Sequence, residues 1–203
     1  MSGEERRESI EALLVFFGTL AFAVPLHYYG LLTEVIGNYI LYTIYIACSI
    51  SLTLRNGRPL AEIGLTPKGL IPSIGNSVAF VMAALVARFV GADLRITPEA
   101  SSWPTITHNI FFWSLSGFGQ EILFRGLILF TFNRWKGWKA ALLVSTLLFG
   151  LIHLRRYQSV SGILLVSIIG LCWGWIALKT QNIVGTSIAH SLYNFLFAFL
   201  LVS

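Results

Sequence analysis

Seven stretches of this chain are apolar for roughly the 20 residues that a helix needs to cross a bilayer. They run approximately over 10–32, 35–54, 69–90, 104–133, 138–154, 159–179 and 183–202. Inside lipid a spanning segment must satisfy its backbone polar groups within itself, and a helix does so. The pattern predicts an all-α fold, a polytopic membrane helix bundle with about seven transmembrane helices. Segment 138–154 is short and is expected to borrow from Trp135 or to run beyond His153. Segment 69–90 carries Pro72, Ser73, Gly75 and Asn76 early, which puts its first turns near the interface. With no internal repeat, linker or low-complexity stretch, residues 1–203 read as one transmembrane domain.

Composition agrees. Of the 203 residues, 56% are hydrophobic and 11% charged, against about 25% charged in a soluble domain. Aromatics make up 14%, six of them Trp, which suits a chain with many interface positions. Trp103, Trp113, Trp173 and Trp175 are read as interface anchors or packing residues, with the lining of a substrate path as the alternative. The net charge of +5 raises nucleic acid as a partner, but no dense Lys/Arg run with interleaved aromatics supports it. Cys48 and Cys172 are isolated in apolar segments and read as small buried hydrophobes.

Nine Lys and Arg residues (Arg6, Arg7, Arg55, Arg58, Lys68, Arg134, Lys136, Lys139 and Lys179) fall at one end of the alternating segments. Four (Arg88, Arg95, Arg155 and Arg156) fall at the other. Basic residues favour the cytoplasmic side, so the N-terminus is expected there. Arg155 and Arg156 are the exception, expected to mark a short loop dipping back into the protein. The mixed-charge start, Met1 to Ser9, precedes an apolar stretch without a small-residue cleavage site. It reads as a lead-in to a retained first helix.

Two charges fall where charges are costly. Glu121 is the acidic residue deep in a spanning segment, and Arg125 is the basic residue far from any loop. A charge at the bilayer centre costs about 2.5–3.5 kcal/mol on insertion scales, so the two should pair and face the protein interior. Their i, i+4 spacing puts them on one helix face. His153 ends the next apolar segment, and His190 and Asn194 share a face of the last one. Three helices each offering inward polar groups imply an assembled site. His27 and His108 lie near loops without a partner of matching chemistry and are left out of it.

These residues resemble the motifs of the CPBP family, the CaaX-protease and bacteriocin-processing intramembrane proteases, also called Abi. Gln120 to Gly126 resembles its Glu-Glu-x-x-x-Arg motif, Phe149 to His153 its Phe-x-x-x-His, and His190 to Asn194 its His-x-x-x-Asn. Order and spacing agree over approximately 104–203, the motif-bearing half. The resemblance implies an intramembrane endopeptidase acting on a membrane-embedded or lipidated peptide or protein, and the expected location is a cell membrane of prokaryotic type. It implies a glutamate mechanism in which the first motif Glu and the second motif His activate water. The third motif His and Asn then stabilise the oxyanion. Gln120, Glu121, Arg125, His153, His190 and Asn194 are the implied site residues.

One residue departs from the pattern: Gln120 stands where the family has its first Glu. An amide cannot accept a proton, and a general base supplies roughly 10²–10⁴-fold in rate. A deliberate Glu-to-Gln exchange, a natural pseudoprotease, and a variant with Glu121 as base all fit the residues. Arg125 opposes a basic role for the carboxylate it pairs with, so Glu121 reads as an organiser. The side chain at 120 points about 100° away around the helix, towards water. No cofactor is required on this reading. Zinc is the alternative, with Glu121, His153 and His190 as ligands and water in the fourth position. A proton-coupled carrier would call for repeats, and a non-catalytic peptide binder gains from Gln120.

Overall fold

The computed structural model describes residues 3–31, 33–89, 94–96, 103–154 and 159–202. Helices α1 (Gly3–Tyr28), α2 (Glu34–Arg55) and α3 (Leu70–Phe89) come first. Then α4 (Trp103–Glu121) passes without interruption into a π-helical segment (Ile122–Leu129) and on into α5 (Phe130–Lys136). Helices α6 (Trp138–Ile152), α7 (Val160–Thr180) and α8 (Val184–Phe199) complete the bundle. The expected segments and the observed helical stretches thus correspond one to one. A three-residue antiparallel pairing of Leu94–Ile96 (β1) with Leu200–Val202 (β2) ties the stretch after α8 to the link between α3 and α4.

Helices α1, α2 and α7 are long and apolar enough to cross a membrane, with windows at Gly3–Leu26, Val35–Arg55 and Val160–Thr180. Helix α6 is shorter, at 15 residues. It neither borrows from Trp135 nor passes His153. Gly137, at φ +81°, breaks the chain before it, and His153 caps its end. The early polar residues of α3 do not simply reach the interface either. Ser73 is fully buried and donates to Asn182 O at 3.1 Å.

The π segment lies in the centre of the core, and every residue from Ile122 to Leu129 is buried. Phe124 packs edge-on against Phe16, Tyr45 and Phe149, tying α1, α2 and α6 to it. Two devices fix α8 beside α4. At Gly117 a β-carbon would collide with the backbone of Ser191, 2.9 Å from its nitrogen, so only glycine allows the helices this close. Asn182, buried before α8, accepts from Val184 N (2.9 Å) and Gly185 N (3.2 Å) and donates to Thr66 O and Lys68 O. That cap satisfies the helix start and anchors it to the link before α3.

At the end of the bundle where α1 begins, Glu8 is buried and takes Arg58 Nε at 3.0 Å and Arg134 Nη2 at 2.9 Å. Glu11 meets Arg55 at 2.7 Å and Asn56 at 2.9 Å. The basic residues expected on one side are therefore partly structural there. Arg155 and Arg156 lie outside the described residues, and so does the loop expected of them.

Candidate active site

The residues at 120 and 121 separate into two environments. Glu121 closes α4 at the point where the hydrogen-bond pattern widens to the i→i+5 form, a feature frequent at functional sites. Its Oε1 lies 3.2 Å from Arg125 Nη1, with both side chains fully buried. The spacing argument for the pair holds although the helix between them is π rather than α. Arg125 Nη2 donates to Gly170 O at 3.0 Å, and the guanidinium lies 4.1 Å from the Phe149 ring centroid. One side chain thus holds the π segment, α6 and α7 together.

The same Oε1 of Glu121 lies 3.0 Å from His190 Nδ1. A carboxylate only accepts, so Nδ1 is the donor, and the neutral imidazole carries its lone pair on Nε2. Trp173 fixes the ring from its face, stacked at 4.4 Å between centroids and 26° between planes. Thr186, one turn earlier on α8, lies beside the same carboxylate.

A cavity of about 970 Å³ runs from this point towards Tyr28 and Leu154. Gln120, His153, His190 and Asn194 line it, whereas Glu121 and Arg125 lie behind its wall. Gln120 Nε2 donates to Ser116 Oγ at 3.1 Å and reaches Tyr42 OH at 3.4 Å. His153 Nδ1 lies 2.7 Å from Phe149 O. A carbonyl also only accepts, so His153 too carries its lone pair on Nε2. Asn194 is half-buried one turn beyond His190. The structure thus brings four of the six expected residues to one cavity and sets the other two directly behind it.

Several residues of this site carry no sequence signal as plain as a buried charge. Tyr42 and Ser116 meet Gln120, and Gly170 offers its carbonyl to Arg125. Trp173 is a packing residue, as read, against Phe80, His190 and Tyr193. It is only 1% exposed, lines the cavity and stacks on His190. Trp113 lines the same cavity. Trp175 is exposed beside Trp138 and Lys179, as an anchor should be. The Trp103 and His27 side chains lie outside the description, and His108 is exposed against Tyr39 at 3.4 Å. Cys48 and Cys172 are only half-buried.

Residues 102–196 match the family model described as Type II CAAX prenyl endopeptidase Rce1-like. This segment is an Rce1-like domain of the CPBP family. It runs from the start of α4 into α8 and holds all six residues of the site. The apolar helices, with this match, fit an integral membrane protein. No curated protein and no solved structure matches the chain.

Among the described residues no three His, Cys, Asp or Glu side chains come together to hold a metal. Glu121 and His190 meet, but the guanidinium 3.2 Å from that carboxylate repels a second cation.

Proposed function

We propose that the chain is an intramembrane endopeptidase of the CaaX-protease type, hydrolysing peptide bonds of membrane-embedded or lipidated substrates. The observation that supports it best is the single cavity lined by Gln120, His153, His190 and Asn194 from three helices, braced by the dry Glu121–Arg125 pair. Peptide hydrolysis needs an activated water, an oxyanion donor and a proton for the leaving amine. Position 120 faces the cavity where a base would act. The Ser116 and Tyr42 hydroxyls that meet Gln120 can equally donate to a carboxylate. With Glu at 120 the site is of the glutamate type, His153 orienting the water and Asn194 donating to the oxyanion. With Gln120 that route to the base is closed and turnover is slow. No step calls on a metal. The nine basic residues at the end where α1 begins support a cytoplasmic N-terminus.

The test uses the full chain and Gln120→Glu in detergent micelles, against internally quenched peptides with and without a prenylated C-terminus. Gln120→Glu is expected to cleave roughly 10²–10⁴-fold faster than the chain itself, with no loss on adding a chelator. Cleavage abolished by chelation and restored by zinc overturns the glutamate mechanism. Binding of peptides without cleavage by either protein favours the second reading, a peptide-holding pseudoprotease, which Gln120 supports.

A further inference from the structure

We infer that in this chain His190 is the proton acceptor for water, positioned by Glu121, so that the Gln120 protein retains slow hydrolysis through a second base. The inference rests on the proposed endopeptidase reading and assigns a role that reading leaves open. Three observations carry it. Gln120 offers an amide to the cavity, and Glu121, the carboxylate beside it, is fully buried behind the wall and bound to Arg125. Neither can take a proton from water in the cavity. His190 bridges the two regions, with Nδ1 on Glu121 at 3.0 Å and its ring on the cavity wall.

The tautomer decides the role. Because Nδ1–H is committed to the carboxylate, neutral His190 has no proton on Nε2 to give an oxyanion, and it presents a lone pair there. It accepts first and donates afterwards. His153 also presents a lone pair, but a neutral carbonyl supports its Nδ1. His190 is supported by a carboxylate, which stabilises the imidazolium as it forms, as in the acid–His pair of serine hydrolases. The Trp173 stack keeps the ring in that orientation.

The proposed step balances. A water O–H proton passes to His190 Nε2 while the water oxygen forms a bond to the carbonyl carbon, and the carbonyl π pair becomes the oxyanion, held by the Asn194 amide. The oxyanion then collapses, the C–N bond breaks, and the proton on Nε2 goes to the departing nitrogen. The products are a carboxylic acid and an amine. Glu121 stays ionised throughout and acts only on the orientation and charge of the ring.

The experiment starts from a quenched peptide that Gln120→Glu cleaves, and measures its hydrolysis by four full-length proteins in micelles. These are the chain itself, Gln120→Glu, and each of these with His190→Gln. A glutamine amide can still donate to an oxyanion but cannot serve as a base. Residual cleavage by the Gln120 chain is expected to vanish with His190→Gln, while the Gln120→Glu protein tolerates the same change far better. In His190→Ala, added imidazoles are expected to restore cleavage by the Gln120 chain, faster as their basicity rises. A thermal melt of each variant separates lost chemistry from lost folding. Residual cleavage that survives His190→Gln, or a Gln120 chain inert on a peptide that Gln120→Glu cuts, overturns the inference and leaves the endopeptidase reading standing. If Gln120→Glu cleaves no peptide, that reading falls and takes this one with it.

Discussion

Gly170 accepts a hydrogen bond from Arg125 at 3.0 Å, and its α-carbon faces the same guanidinium so closely that no side chain fits. A β-carbon there would come 3.1 Å from Arg125 Nη2 and 2.7 Å from a Phe149 ring atom. Neither neighbour can yield cheaply, since the ring lies against the guanidinium and the guanidinium against Glu121. Gly170→Ala is expected to cost about 1–3 kcal/mol of stability as an overpacked core, read as a lower melting temperature. Residual cleavage by the Gln120 chain should fall with it, because the displaced groups support His190.

The Glu121–Arg125 pair invites a double-mutant cycle. Glu121→Gln leaves a bare guanidinium in a dry core, and Arg125→Met leaves a bare carboxylate. Each is expected to cost about 3–5 kcal/mol. The combined variant should be more stable than the sum of the two predicts, since it buries no charge at all. Denaturant titration in mixed micelles measures the coupling, and additive losses would show that the pair contributes little to folding.

Trp173 offers a way to disturb His190 without touching its hydrogen bond. Trp173→Phe keeps an apolar ring but shortens the stack, so kcat should drop while KM stays near its starting value. Trp173→Ala opens the core and should cost about 3–5 kcal/mol, visible as loss of folded protein after mild heating.

The far end of the bundle makes a contrasting prediction. Glu8 holds Arg58 and Arg134 away from the cavity. Glu8→Ala is expected to lose about 1.5–3 kcal/mol, the value of a hydrogen bond to a charged group, with kcat unchanged. A parallel fall in kcat would mean that the two ends communicate.

Much of this arrangement is legible in the residues. Apolar length alone locates most of the helices to within a few positions, as for 35–54 against Glu34–Arg55 and 159–179 against Val160–Thr180, although α1 starts at Gly3, well before the expected 10. The Glu121–Arg125 pair follows from the cost of burying charge and from helical spacing. What stays hidden depends on partners far along the chain. Glu8 looks like a solvated terminal charge until Arg58 and Arg134 arrive from 50 and 126 residues away. Tyr42 becomes part of the site only because it reaches Gln120 across 78 residues. Trp173 gives no sign of lying on a histidine, since apolar residues surround it on every side in sequence. The π segment is hidden for a different reason. Gly126 apart, Ile122 to Leu129 are ordinary helix formers, and hydrogen-bond register is settled by packing rather than by residue type.

That segment joins the two halves of one long rod. Above it stand Gln120 and Glu121, and below it Arg134 reaches for Glu8. A widened turn holds a surplus residue relative to an α-helix. Deleting a single position there, Leu127 for instance, should let the rod tighten into uniform α form. A widened turn absorbs one residue and leaves the helix on either side close to its α phase, so the two halves would keep their present facing and only the wall between them would repack. Arg134 would stay on Glu8 and the cavity above would keep its lining. The fold therefore carries its catalytic geometry and its charged foot on one shaft, with the slack of a single residue taken up between them.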